Sequence, residues 1–317
     1  MTAALAQLCY RTTVSKQIGR LVLCGMLAAP LFGAAQTDAQ KEAEPQAVAA
    51  WAQSTFYTGF NMPRALALDT NGNVYVADWG NNRIVKVAAN GKSSTPIANV
   101  TNPTAVAVDL YADVVAGYAT PAGTAPYVVT LVVDNEPKTF QKSTLMADGP
   151  TAPTGLAFCG LAPPAGSVKD PILYTSGLAF GVGSDSMIGV SDFVGNYTGP
   201  VVVLPGFATR GLACDAAGDL YLVDGTFYKV WKLTPKGVWS SIGSGYNRPE
   251  GVAVDEAGNV FVADFGNNRV VEVTPGGVET VFGTGLAGPT GIAIYNGKSE
   301  QIFVADSGNN RIVEFEE

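Results

Sequence analysis

The chain has 317 residues, 47% of them apolar and 15% charged, a formal charge of −8 and no histidine. That is too apolar for a disordered polymer and too poor in charge for a coiled coil, and an acidic balance without a basic stripe argues against a nucleic-acid partner. Without histidine there is no His–Asp catalytic pair, no imidazole metal ligand and no imidazole proton shuttle.

Arg11, Lys16 and Arg20 precede an apolar run from Leu21 to Phe32, and Gly33-Ala34-Ala35 offers small residues for cleavage before Gln36. This is the pattern of a secretory signal peptide over residues 1–35. The run is short for a membrane anchor and contains Pro30. Leu23 before Cys24 does not suit lipoprotein processing. Cleavage removes three cations and no anions, taking the formal charge from −8 to −11. Residues 36–47 are polar and unpatterned, a flexible leader. The expected destination is secreted or periplasmic, and no later run is long and apolar enough to span a membrane.

From residue 48 onward the chain repeats itself. Pro63-Arg-Ala-Leu-Ala-Leu-Asp69 returns as Pro103-Thr-Ala-Val-Ala-Val-Asp109 and Pro153-Thr-Gly-Leu-Ala-Phe-Cys159. It returns again as Thr209-Arg-Gly-Leu-Ala-Cys-Asp215, Pro249-Glu-Gly-Val-Ala-Val-Asp255 and Pro289-Thr-Gly-Ile-Ala-Ile-Tyr295. The spacings are 40, 50, 56, 40 and 40, so the second and third repeats carry insertions, near Tyr111–Pro126, Gly160–Pro171 and Gly181–Ser186. In the fifth repeat, Gly251–Asp255, Val260–Ala263, Arg269–Val273 and Val278–Phe282 read as strands separated by turns rich in Gly, Asn and Asp. Four short strands per repeat of this length are the signature of a propeller blade.

The fold class expected is therefore all-β: a six-bladed β-propeller of four-stranded blades over residues 48–317. Ala67, Ala107, Ala157, Ala213, Ala253 and Ala293 occupy one place in the first strand of each repeat. There the innermost strands converge, and only a small side chain avoids overpacking. The sixth repeat lacks a fourth strand, while Ser54–Gly59 resembles the fourth-strand segment Glu279–Thr284. An N-terminal strand within Val48–Tyr57 is expected to complete the last blade and cover two open edges.

The run Asn73-Val-Tyr-Val-Ala-Asp-Trp-Gly-Asn-Asn-Arg83 recurs at Asn259–Arg269 and, with small changes, at Gln301–Arg311. With the Pro-opened strand, it resembles the NHL repeat across essentially all of residues 54–317. The resemblance implies a six-bladed propeller, although the histidine of the family's name is missing from every repeat. Asp78, Asp264 and Asp306 precede Gly and two Asn and should shape a tight turn. Arg83, Arg269 and Arg311 lie within reach of an Asp or carbonyl of the same blade. Asp69, Asp109, Asp215 and Asp255 read as caps of the first turn. Cys159 aligns with Asp215, and Cys214 with Phe158. Alternation then sends the two thiols to opposite faces, and although a secreted protein permits a bridge, the expectation is that they do not pair.

The residue after each repeat-opening position should lie at the mouth of the central channel: Arg64, Thr104, Thr154, Arg210, Glu250 and Thr290. Turns between second and third strands add Trp79 and Phe265 on the same face, with Ser307 as the sixth-repeat counterpart. These positions vary between repeats, as a site for an asymmetric ligand requires. Aromatics beside Arg suit a peptide, carboxylate or sugar. The reading is a monomeric, non-catalytic scaffold binding a protein, peptide or glycan, with no cofactor and no metal. The alternative is a metal-dependent lactonase resembling the gluconolactonases, whose metal is held by several carboxylate and Asn ligands at the channel mouth. Here the mouth offers one carboxylate, Glu250. Lyases on related propellers depend on histidines, and the RNA binding of some NHL proteins conflicts with the acidic charge.

Overall fold

The computed structural model describes residues 51–109, 112, 114–118, 130–133, 136–138, 150–159, 172–179, 186–191, 197–204, 206–297 and 299–316. The expected signal peptide and leader, the Val48–Ala50 part of the expected closing strand and most of the insertions lie outside the described residues.

Strand β1 (Ala52–Thr58) opens the described chain. One antiparallel sheet follows from β2 (Pro63–Leu68), β3 (Val74–Asp78), β4 (Arg83–Val87) and β5 (Ser94–Asn99). The next contains β6 (Pro103–Val108), β7 (Val114–Tyr118), β8 (Thr130–Val133) and β9 (Glu136–Lys138). Then come β10 (Pro150–Cys159), β11 (Ile172–Ala179), β12 (Ser186–Ser191) and β13 (Tyr197–Leu204). β14 (Thr209–Cys214), β15 (Leu220–Asp224), β16 (Lys229–Leu233) and β17 (Trp239–Ile242) form another sheet. β18 (Gly251–Val254), β19 (Val260–Asp264), β20 (Arg269–Val273) and β21 (Glu279–Phe282) follow. The last sheet runs β22 (Pro289–Asn296), β23 (Glu300–Asp306), β24 (Arg311–Glu316), and its outer edge is β1. The molecule is an all-β propeller.

The expected closure by an N-terminal strand is seen: Ala52 pairs with Glu316 and Thr58 with Arg311. Trp51, just ahead of it, stacks on Phe282 at 5.3 Å and meets Phe261 edge-on at 5.9 Å. Gln53 exchanges two hydrogen bonds of 2.8 Å with the backbone of Thr284, in the connection that follows β21.

Every residue of β3, β15 and β19 is buried, because each of these second strands has a sheet on both sides. That is why they read as continuous apolar runs, whereas the fourth strand β21 alternates between exposed and half-buried. The apolar clusters straddle successive sheets: Leu66, Val74 and Val76 pack with Phe303, Ala305 and Ile312. Burying each of the larger side chains here contributes about 1.5–3 kcal/mol.

The first strands approach most closely at the third residue of the repeated motif. A Cβ on Gly155 would lie 2.8 Å from Leu212, and one on Gly211 would lie 2.9 Å from the Glu250 carbonyl. One on Gly251 would lie 2.1 Å from the Thr290 carbonyl, and one on Gly291 would lie 2.8 Å from the Ala65 Cα. The contacts run from β10 to β14, β18, β22 and on to β2, and β2 and β10 both pack on β6. The alanines share the glycines' face: Ala213 packs against the cluster that holds Val252, and Ala293 against the one that holds Leu66. The need for a small residue at these contacts is met by Ala and, more strictly, by the glycine two residues earlier.

Cys159 and Cys214 form a disulfide, with Cα atoms 5.7 Å apart, which corrects the expectation of unpaired thiols. The two side chains do point to opposite faces of their own sheets. In a ring of stacked sheets, however, opposite faces of successive sheets are the ones that meet. Gly155, on the face of β10 that carries Cys159, already touches Leu212, on the face of β14 that carries Cys214.

Candidate functional site

The repeated polar residues are held within the scaffold. Asp78 is fully buried. Its Oδ1 accepts from the Asn61 amide at 2.7 Å, and its Oδ2 accepts from Asn81 Nδ2 at 2.9 Å and Arg83 Nε at 2.7 Å. Asp264 repeats this with Asn247, Asn267 and Arg269, and Asp306 with Ala287, Asn309 and Arg311. A second arm of the same guanidinium donates to the connection arriving from the preceding sheet: Arg83 to the Gly59 carbonyl and Arg269 to that of Gly245. Asn82, Asn268 and Asn310 take the left-handed conformation that ends the turn, with φ of 54°, 54° and 57°. Their side chains accept from amides ahead of the next first strand: those of Asn102, Gly288 and Met62. Each Asp–Asn–Arg set therefore ties three successive parts of the chain. Asp69, Asp215 and Asp255 cap the first turn as expected, accepting from amides two or four residues on.

The variable positions lie elsewhere. Arg64, Thr104, Thr154, Arg210, Glu250 and Thr290 line one cavity of ≈ 150 Å³, walled by β2, β6, β10, β14, β18 and β22 at the second to fourth residues of the repeated motif. A second space, of ≈ 200 Å³, follows farther along the same strands, lined by residues such as Leu68, Val108 and Ile294. Polar chemistry is thus concentrated at one end of the first strands. It sits there because the residue after the repeat-opening position stands where the chain enters the inner strand.

The six mouth residues do different work. Thr154 Oγ1 donates to the Thr209 carbonyl at 2.7 Å, and Thr290 Oγ1 to the Pro63 carbonyl at 3.0 Å; in each case the acceptor opens the next first strand. Thr104 Oγ1 donates to the Gly117 carbonyl at 3.2 Å, within its own sheet. Ser307 is buried against Thr290, 2.7 Å away, and also donates to Pro63. The hydroxyl residues thus serve the joints between and within sheets.

The charged three remain. Arg210 Nη1 lies 3.7 Å from Glu250 Oε2, an ion pair longer than a hydrogen bond. Arg64 stacks over Trp79 at 5.0 Å, and among the described residues its guanidinium has no hydrogen-bond or ion-pair partner. Burial pushes the Glu250 carboxyl above its ordinary value of 4.5, against the opposing pull of Arg210, Arg64 and Arg248. Arg248 escaped the sequence reading, which looked only past the opening Pro and not before it. It stacks over Phe265 at 4.9 Å, so Trp79 and Phe265 each carry an arginine beside the cavity rather than line it. In the fourth sheet Gly225 stands where the others have Trp79, Phe265 and Ser307. A Cβ there would come within 2.9 Å of Arg210 Nε, so the glycine gives the arginine its room.

The model of the NHL repeat matches residues 60–87 and 246–272. The chain carries NHL repeats. Both matched segments contain the Asp–Asn–Arg set of their sheet, Asp78 with Arg83 and Asp264 with Arg269. No curated protein matches the sequence. Among solved structures, a gluconolactonase from Xanthomonas campestris superposes with a TM-score of 0.65 at 11% identity, covering 84% of this chain and 89% of its own. An auxiliary nutrient binding protein from Bacteroides ovatus gives 0.64 at 12% identity, over 84% and 76% of the two chains. Virginiamycin B lyase from Staphylococcus aureus gives 0.57 at 13% identity, over 84% and 99%. At these identities the likeness is one of fold, and the fold carries enzymes and a binding protein alike.

Proposed function

We propose that this NHL-repeat chain is a secreted or periplasmic, monomeric, six-bladed propeller that binds a protein, peptide or glycan ligand at its channel mouth without catalysis. In this reading residues 1–35 are a cleaved signal peptide, 36–47 a leader and 48–317 the propeller. The sheet order and the glycine contacts passing from one first strand to the next support the ring. The observation that carries the function is the division of labour among polar residues. The repeated Asp, Asn and Arg are consumed in joints, while the residues that differ between sheets surround one cavity. There they leave Arg64, Arg210 and Glu250 facing whatever enters.

The lactonase alternative requires a divalent metal, and the donor set does not suit one. The mouth offers a single carboxylate, Glu250, and three arginines bear on it. Among the described residues no three acidic or cysteine side chains converge on a point. Calcium or EDTA is accordingly expected to leave the unfolding temperature unchanged.

The test is retention of a partner from the native extracellular fraction on the immobilised chain, alongside an Arg64→Ala/Arg210→Ala variant. Loss of the partner by a variant that still unfolds cooperatively is the expected result. Full retention by the variant overturns the channel-mouth site.

A further inference from the structure

We infer that the channel mouth accepts a carboxylate on the Arg64 guanidinium, and that Glu250 is a built-in competitor for Arg210 that this carboxylate must displace or share. The inference rests on the binding reading above and names the chemistry of that site.

Arg64 is the prepared half. Its guanidinium lies over the Trp79 ring, 5.0 Å from its centre, and among the described residues nothing accepts from its donors. A planar five-donor fork matches a carboxylate through two parallel N–H···O bonds, and the contact with the ring lowers the cost of ordering the side chain when the ligand arrives. Arg210 is the contested half. Glu250 stands 3.7 Å away, close enough to pair and too far to hydrogen-bond, so the pair is loose. Gly225 leaves room beside Arg210, where a side chain would collide with its Nε.

Charge points the same way. The chain as a whole carries −8, yet Arg64, Arg210 and Arg248 gather around one carboxylate at the mouth. Three guanidiniums against one carboxylate leave this end net positive, so charge selects an anion, and the titration below separates a carboxylate from a phosphate. The space of ≈ 150 Å³ is about that of a benzene-sized cavity, enough for a carboxylate on two or three carbons. Such a group can arrive as a small free acid or as the acidic side chain of a protein.

Titration calorimetry on the full-length chain at neutral pH and low salt distinguishes these sources. The probes are propionate, glutarate, propionamide, inorganic phosphate, and a short peptide with one internal Glu compared with its Gln counterpart. The expected result is saturable binding of propionate, and of glutarate or the Glu peptide, none of propionamide or the Gln peptide, and weaker binding of phosphate. Arg64→Ala and Arg64→Lys should each weaken carboxylate binding at least tenfold, the second because the fork is lost while the charge stays. Glu250→Gln should tighten it by removing the competitor. Weaker binding by Glu250→Gln overturns the proposal, because Glu250 would then be part of the recognition. Equal binding of propionamide overturns it as well, as does phosphate binding tighter than any carboxylate. Failure of every carboxylate, with partner retention still lost in Arg64→Ala/Arg210→Ala, removes this inference and leaves the binding reading standing.

Discussion

At the scale of single residues, position in the scaffold decides what an aspartate is worth. Asp264 and Asp224 end equivalent second strands and are both fully buried. Asp264 Oδ2 accepts from Asn267 and Arg269, each at 2.7 Å. The fourth repeat has Phe227 and Lys229 in those places, and among the described residues Asp224 Oδ2 has no hydrogen-bond partner, while Oδ1 keeps the amides of Thr226 and Phe227. Removing one member of a buried charged pair costs several kcal/mol, whereas neutralising an unpaired buried oxygen relieves a desolvation penalty. Asp264→Asn should therefore destabilise by about 2–4 kcal/mol. Asp224→Asn should be neutral or stabilising, and urea midpoints compare the two directly. The Asp–Asn–Arg sets were legible in sequence because their members lie within five positions of one another. The roles of Thr154, Thr290 and Arg248 were not, because their partners come from another sheet or connection.

At the scale of elements, the sequence pattern placed the strands well and the contacts between sheets less well. The strand order of the fifth repeat could be written down from its turns, since Gly, Asn and Asp mark where each strand stops. Closure by β1 was legible from a missing fourth strand. It predicts that deleting Trp51–Tyr57 lowers the unfolding temperature by about 10 °C or more, since a strand, an aromatic stack and the cover of β24 leave together. An unchanged temperature would remove closure from the account of stability. The disulfide was misread because alternation within a strand says which face a side chain takes, and not which face of the next sheet it meets. Cys159 and Cys214 close a loop with a separation of 55 residues. Reduction should cost about 2–4 kcal/mol, measured as a shift in urea midpoint with and without reductant. Alkylation of the unreduced protein should leave both cysteines unmodified.

At the scale of the whole molecule, the sheets build a ring whose joints are repetitive and whose mouth is not, and the mouth holds a carboxylate that the fold disfavours in its charged form. Burial raises the Glu250 carboxyl above 4.5 more than Arg210, Arg64 and Arg248 lower it, so the folded protein retains this proton to higher pH than the unfolded chain does. Stability rises with pH only where the unfolded state binds more protons, and here it binds fewer. Glu250 therefore contributes no penalty in acid, where both states are protonated. It contributes a growing penalty as pH rises past the ordinary glutamate value of 4.5, until Glu250 ionises in the folded state and the penalty levels off. Glu250→Gln should match the wild-type protein in unfolding free energy at low pH and exceed it near neutrality. The difference between the two urea-melt series plotted against pH isolates this one group from the other carboxylates. A Glu250→Gln protein less stable than wild type at neutral pH would mean that the Arg210 pair outweighs burial.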